Sequence, residues 1–583
     1  MNKNLTAAQL GPDGKSKYAY FLPATSSFYA TFIGKQRYHN YVDPARIPKA
    51  WTEGVESLNY LDPERGLFYY DHCLYSAGHA NLDLTKQDDS EDMFRNRDRS
   101  TSWVLGDSGG FQIGKGVWGG EWNDPTGPEV QARMAEAVAK GVEIQPVLDA
   151  SGAPVLDKKG NPKTLKIDHV KIYQAKLDAA QKKREQVLNW MDSLMDYGIV
   201  LDVPAWVAKN PVGSKNTGVS SYAQAVAGTK YNNEYFIKHR TGKCKFLNVL
   251  HGERHDQADH WYNEMKHFCD TKIYGDRAFN GWAMGGKNCT DVHLVLKRLV
   301  ALRFDGLLET GQHDWMHFLG TSKLEWALLS TDIQRVIRKY HNENFTVSFD
   351  CASPFLATAN GQIYVETKTD DRKKWSYRML PSIDDKKYAN DTRLFRDAVI
   401  QDGHFKVFEN SPVIDTVEAK DICIYGPNDL NKLGKIGTTS WDSFSYAIMM
   451  GHNVWHHANC VQEANRQYDA GLCPAMLVDE RFDRTYFRDV LDAIFATNDR
   501  AKAEKIIEDH SNFWMLILGS RGSVGKNIIS AKTHFANLFE EVDPNSQTEF
   551  DEETDAQVEF EELDEEDTNK LDQLEDQVKH DPT

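Results

Sequence analysis

Apolar runs that end in a polar or glycine-rich turn and lead into helical sequence recur along this chain, and they constrain its fold more than any other feature. Trp103-Val104-Leu105-Gly106 runs into Asp107, Gly198-Ile199-Val200-Leu201 into Asp202, and Phe246-Leu247-Asn248-Val249-Leu250 into His251-Gly252. Ala278-Phe279-Asn280 runs into Gly281, His317-Phe318-Leu319 into Gly320, and Thr346-Val347-Ser348-Phe349 into Asp350. Amphipathic helices are predicted between several of them, over 128–140, 165–195, 291–303 and 322–340. Strand, reactive residue and helix in repetition predict an α/β fold, a (β/α)8 barrel of the TIM type with its chemistry at the C-terminal strand ends. A doubly wound open sheet gives a similar string and is the structural alternative.

Three regions are expected. Residues 1–360 form the barrel, with a Gly/Pro-turned hairpin inserted at 146–165. Residues 361–539 mix short strands and charged loops, then become helical over 439–469 and 478–539, and supply the last barrel helix. Segment 540–583 is an acidic tail of low complexity, expected to be disordered. It carries 19 acidic and two basic residues, so −17 of the net −18 resides there and residues 1–539 are near neutrality. The acidic balance therefore does not argue against a polyanionic partner.

The 583 residues suffice for roughly three to four domain-sized units or one enlarged barrel. The composition excludes collagen, a disulfide scaffold and wholesale disorder. The eight cysteines are scattered without a CxxC pair and read as reduced thiols of an intracellular, cytoplasmic protein. The N-terminal stretch has no apolar core of a signal peptide, and no run of about 18 apolar residues predicts a membrane span.

The sharpest local motif is Asp107-Ser108-Gly109-Gly110-Phe111-Gln112. A carboxylate after a strand is followed by two glycines that admit a ligand close to the backbone, and then by an aromatic that can stack on it. Taken alone, a tight turn with a capping aspartate also accounts for it. Asp350 in Phe349-Asp350-Cys351 and Asp202 are further carboxylates at strand ends. Gly281-Trp282-Ala283-Met284-Gly285-Gly286 offers backbone N–H groups but lacks the dinucleotide fingerprint. His251-Gly252-Glu253, alone, reads as a satisfied histidine. In a barrel all these positions open onto one mouth. Carboxylates, backbone donors and an aromatic there suit a planar, purine-like ligand, and a separate carboxylate could attack an anomeric carbon.

DSGGFQ, FDC after a strand, the GWAMG turn (compare GGLAVG) and the LHGE turn (compare VQGG) occur in that family's order over residues 60–360, and together they resemble the tRNA-guanine transglycosylase superfamily. The resemblance implies a (β/α)8 barrel and a double displacement that exchanges guanine for a 7-deazaguanine with retention at the sugar. It implies that Asp350 is the nucleophile and that Asp107 binds the base and moves its protons. It further implies that Asp202 recognises the base, that Gly281 and Trp282 lie in the turn whose backbone reads the base carbonyl, and that Phe111 stacks on the ring. Ser108, Gly109, Gly110, Gln112 and Gly252 complete the substrate-binding set. His251 stands where the family has Gln. No cofactor is required for the chemistry.

The sequence departs from the transfer-RNA enzymes in two places. The segment Cys351–Gly361 has no Arg, and the family's Cys-x-Cys-x2-Cys…His zinc cluster is absent, with only Cys423 in a comparable stretch. His452, His456 and Cys460, at helical spacing, are the zinc candidates that remain. These losses and the long insertions resemble the DNA-modifying branch, the DpdA-type DNA 7-deazaguanine transglycosylases of phages and some bacteria. That branch implies DNA as partner, a 7-deazaguanine base such as the 7-cyano form as small-molecule substrate, and protection of DNA from restriction in a host cytoplasm. A guanine in a duplex must be flipped out to react. Lys158, Lys159, Lys163, Lys166, Lys182, Lys183, Arg184, Arg521 and Lys526 are the candidates for phosphate contact. Transfer RNA as substrate, or a non-catalytic nucleic-acid-binding paralogue, are the alternative readings. A homodimer or an accessory protein is left open.

Overall fold

Eight short parallel strands lie side by side in an almost closed ring in the computed structural model, which describes residues 17–39, 42–86, 91–147, 153–156, 159–425, 441–481 and 484–520. The strands, in chain order, are β1 (Tyr20–Pro23), β2 (His72–Ser76), β3 (Trp103–Asp107), an excluded hairpin of β4 (Val142–Pro146) and β5 (Thr164–Asp168), then β6 (Tyr197–Ile199), β7 (Lys245–Leu250), β8 (Gly281–Met284), β9 (Trp315–Phe318) and β10 (Thr346–Cys351). Ring order is β1-β10-β9-β8-β7-β6-β3-β2. The last gap is spanned by an isolated parallel bridge from Ala24, just past β1, to Leu74 on β2. The fold is thus mixed α/β with a nearly closed eight-stranded parallel barrel.

Alternation along the strands fills the interior. Leu22, Leu74, Leu105, Ile199, Leu247, Val249 and Ala283 pack together inside the ring. Below them, at the N-terminal strand ends, Tyr20 stacks on His72 at 3.8 Å and Trp315 meets Tyr197 at 4.8 Å between ring centroids. Large aromatic rings close that end, so the barrel is a packed core and not a channel. Outward-facing residues such as Val104, Phe246, Trp282, Met316 and Phe349 pack with the surrounding helices.

Helices alternate with the strands. Tyr222–His239 is capped by Ser221, Val292–Phe304 by Asp291 and Ser443–Asp469 by Asp442, each through a side-chain oxygen that accepts first-turn N–H groups. Helix Ser443–Asp469 lies against β1 and β10, with His457 stacked on Phe21 at 4.0 Å. Between β10 and that helix come β11 (Gln362–Lys368) and β12 (Ser376–Pro381), an antiparallel pair. Helices Phe487–Ala496, Arg500–Asp509 and Ser511–Ser520 follow.

Several boundaries differ from the sequence reading. The inserted hairpin pairs Val142–Pro146 with Thr164–Asp168, so its strands flank the expected segment 146–165 and shorten the helix expected from 165 to His169–Leu194. Strand β8 begins at Gly281, where the sequence reading placed the end of a strand. Ala278–Asn280 only lead into it, with the Asn280 N–H on the Phe246 carbonyl. Strands β1 and β2 were not read. The acidic tail 540–583, Arg521, Lys526 and Lys158 lie outside the described residues. Among the described residues no helix is long and apolar enough to cross a membrane.

Candidate active site

The C-terminal ends of the barrel strands bring Asp107, Asp202 and Asp350 to one mouth. Asp107 closes β3 beside Ser76, its register partner on β2. The Ser76 hydroxyl donates to Asp107 Oδ2 at 2.5 Å, and the Gly109 N–H points to the same oxygen at 3.4 Å. Gly109 has a φ of 80°, left-handed backbone that glycine adopts without penalty, and the Trp118 ring packs against its Cα. This turn starts the short helix Gly110–Gly114.

Asp202 follows β6 and is buried. Its Oδ2 lies 2.7 Å from His251 Nε2, just past β7, and its Oδ1 presses on Gly110. The His251 ring is backed by Gly285, just past β8. Asp350 sits within β10. Its Oδ1 accepts from the Gly320 N–H at 2.9 Å and lies 3.0 Å from His317 Nε2. Its backbone carbonyl accepts the Thr321 N–H at 2.8 Å. Among the described residues no hydrogen bond is made to Asp350 Oδ2.

Burial raises the Asp107 carboxyl above the ordinary range. The Ser76 hydrogen bond opposes this, and the negative charges of Asp350 and Asp202 add to it. A carboxyl of raised proton affinity beside two other carboxylates is suited to exchange a proton with a departing group. Four buried polar atoms around this mouth have no hydrogen-bond partner among the described residues: Ser108 Oγ, Gln112 Oε1, His251 Nδ1 and Thr321 Oγ1. Buried polar atoms are normally paired, so these four can still take a hydrogen bond from water or a polar ligand. The shelf beside them is aromatic. Phe111 packs near Trp206 at 5.9 Å, and Trp118 lies under Gly109.

Of the residues singled out in the sequence, Asp107, Ser108, Gly109, Gly110, Phe111, Gln112, Asp202, His251, Gly252 and Asp350 all lie on mouth loops or strand ends. Gly281 and Trp282 do not. They begin β8, level with Trp315 at the closed end, and Trp282 is fully buried with its Nε1–H on the Leu307 carbonyl. The turn at the mouth is Met284-Gly285-Gly286, so the expectation that Gly281 and Trp282 lie in that turn is corrected by the strand register. Sequence reasoning missed Ser76, His317, Gly320, Thr321 and Ser348. His317 and Gly320 were visible as a run into a glycine. Ser76 was hidden because β2 was not read as a strand.

The zinc candidates are only partly brought together. His452 spends Nδ1 on Ser411 Oγ at 2.7 Å and Nε2 on the Tyr364 carbonyl at 2.8 Å, which removes it from any ligand set. His456 Nδ1 meets Cys460 Sγ at 3.1 Å, and Glu409 lies 2.9 Å from the other ring nitrogen. These three offer ligand atoms within 4.8 Å of one another. Among the basic candidates, Lys159, Lys163, Lys166 and Lys182 are exposed. Arg184 is buried over Tyr231 at 4.7 Å and bonds Asn232, so it is not available to a phosphate.

In comparisons with known proteins, no protein-family model matches the chain and no curated protein matches it.

Proposed function

We propose that this chain is a DNA-guanine transglycosylase, a pentosyltransferase that exchanges guanine in DNA for a 7-deazaguanine such as the 7-cyano form. One observation carries the reading: a carboxyl with raised proton affinity, Asp107, shares the barrel mouth with a second carboxylate, Asp350, that keeps one oxygen unbonded. In this reading the barrel is a TIM-type (β/α)8 barrel, 361–435 is an insertion, and Ser443–Asp469 is its last helix. The motif resemblance adds the base and the sugar to the chemistry.

The reaction is a double displacement with balanced steps. Asp350 Oδ2 forms a bond to C1′ while the C1′–N9 bond breaks, and its electron pair leaves with guanine, which takes the Asp107 proton. The incoming 7-deazaguanine returns its N9 proton to Asp107, and N9 attacks C1′ and releases Asp350. Two displacements at one carbon retain configuration. Asp202, held by His251, hydrogen-bonds the base, and the unpaired Ser108, Gln112 and His251 atoms supply further polar contacts. In the cell the product is DNA protected from restriction, made in the cytoplasm of a phage-infected host.

The test is label exchange. Purified protein is incubated with radiolabelled guanine and either duplex DNA or bulk transfer RNA, with Asp350→Ala as control. Label entering DNA and lost in the variant is the expected result. Label entering only transfer RNA overturns the substrate, and label in neither overturns guanine exchange.

A further inference from the structure

His317 is fully buried. It is the register partner of Ser348 on the neighbouring strand, and both face the barrel interior. Trp315, two residues earlier on β9 and pointing the same way, donates its Nε1–H to Ser348 Oγ at 2.8 Å. His317 Nδ1 lies 2.8 Å from the same oxygen. An indole nitrogen can only donate, so Ser348 Oγ accepts there and keeps its own hydrogen to offer to His317 Nδ1. On the other side of the ring Nε2 lies 3.0 Å from Asp350 Oδ1, and a carboxylate nucleophile can only accept, so the imidazole carries a proton on Nε2. The tautomer of a buried histidine is set by the bond its other nitrogen makes. Here the setting runs from an indole at the closed end of the barrel to the carboxylate at its mouth.

We propose that His317 is a positioning residue for Asp350, with Ser348 and Trp315 fixing its tautomer. The proposal rests on the glycosyl-transfer reading. His317 and the Gly320 N–H together hold Oδ1 and leave Oδ2 to attack C1′. When the ester forms, Oδ1 becomes its carbonyl oxygen. When the incoming base displaces Asp350, negative charge returns to the carboxylate, and the same two N–H groups receive it. Preorganised donors at an oxygen that gains charge are worth about 10²–10³ in rate when one is removed.

The experiment compares His317→Leu, His317→Gln and Ser348→Ala with the native chain and Asp350→Ala in the DNA exchange assay, each variant first checked for its melting temperature. A glutamine amide nitrogen reaches close to the position of imidazole Nε2 and keeps a donor on Oδ1. His317→Leu is expected to lower kcat about 10²-fold with KM for the base unchanged, in line with loss of one such donor. His317→Gln is expected to restore most of that loss, and Ser348→Ala to fall between the two. Native kcat in His317→Leu, or a loss in folded His317→Gln as large as in His317→Leu, overturns the positioning role while Asp350-dependent exchange stands. If His317→Leu does not fold, His317→Gln and Ser348→Ala decide the matter by the same criteria. No exchange by the native chain, or exchange that survives Asp350→Ala, overturns the transfer reading and this proposal with it.

Discussion

Gly110 and Asp202 are packed so closely that a Cβ on Gly110 would lie within 3.0 Å of the Asp202 carboxylate. The glycine of one mouth loop is therefore the seat of the carboxylate from another. Gly110→Ala should displace Asp202 from His251. A cost of about 1–3 kcal/mol is expected for such overpacking. Denaturant unfolding measures the cost, and the KM for the base is expected to rise with it.

Asp107 supplies a prediction in which stability and activity move in opposite directions. Its carboxyl is raised by burial, so the folded state binds more protons than the unfolded one between the ordinary carboxyl range and the raised value. Native stability must fall as pH rises through that window. Asp107→Asn removes the fall. Its melting temperature relative to the native chain should rise from pH 4 towards pH 8, while exchange drops by about 10²–10⁴-fold, as for loss of a general acid. A constant difference in melting temperature across that range would contradict the assignment.

His456 gives a second pH dependence, away from the mouth. Burial opposes its charge, yet Cys460 and Glu409 lift its pKa to about 9. A raised histidine contributes stability that is complete below its ordinary value and is lost as pH rises through the folded one. Native stability should therefore decline between about pH 7 and pH 10. Cys460→Ala should flatten that decline, as read by thermal unfolding at each pH.

Trp282 separates the sequence reading from the structure. A residue that reads the base would change KM when altered, whereas a residue buried behind β8 would change stability alone. Trp282→Phe is expected to lower the melting temperature and leave KM for the base at the native value. A selective rise in KM with stability unchanged would restore the residue to the site.

The barrel was legible because long apolar runs must be buried and because carboxylates at their ends have few structural reasons to recur. Trp103–Asp107, Lys245–Leu250 and Thr346–Cys351 follow the sequence closely. Strands β1 and β2 were not legible, since Tyr20-Phe21-Leu22-Pro23 is brief and His72-Cys73-Leu74-Tyr75-Ser76 shows no clean alternation. Without β2 there was no way to place Ser76 on Asp107. The error at Gly281 has a similar origin. Ala278-Phe279-Asn280 and Trp282-Ala283-Met284 are both apolar, and only pairing with Trp315 and Leu247 decides which is the strand. The link from His317 to Asp350 depends on two adjacent strands in register, information that a single sequence does not carry.

The central claim is that Asp350 is the nucleophile, and the covalent intermediate tests it most directly. The protein is mixed with a guanine-containing DNA duplex, quenched in denaturant and digested, and the peptides are read by mass spectrometry. The account predicts a DNA sugar adduct on Asp350, discharged by added 7-deazaguanine and absent from Asp350→Ala. An adduct on another residue, or base exchange that continues in Asp350→Ala, would contradict it.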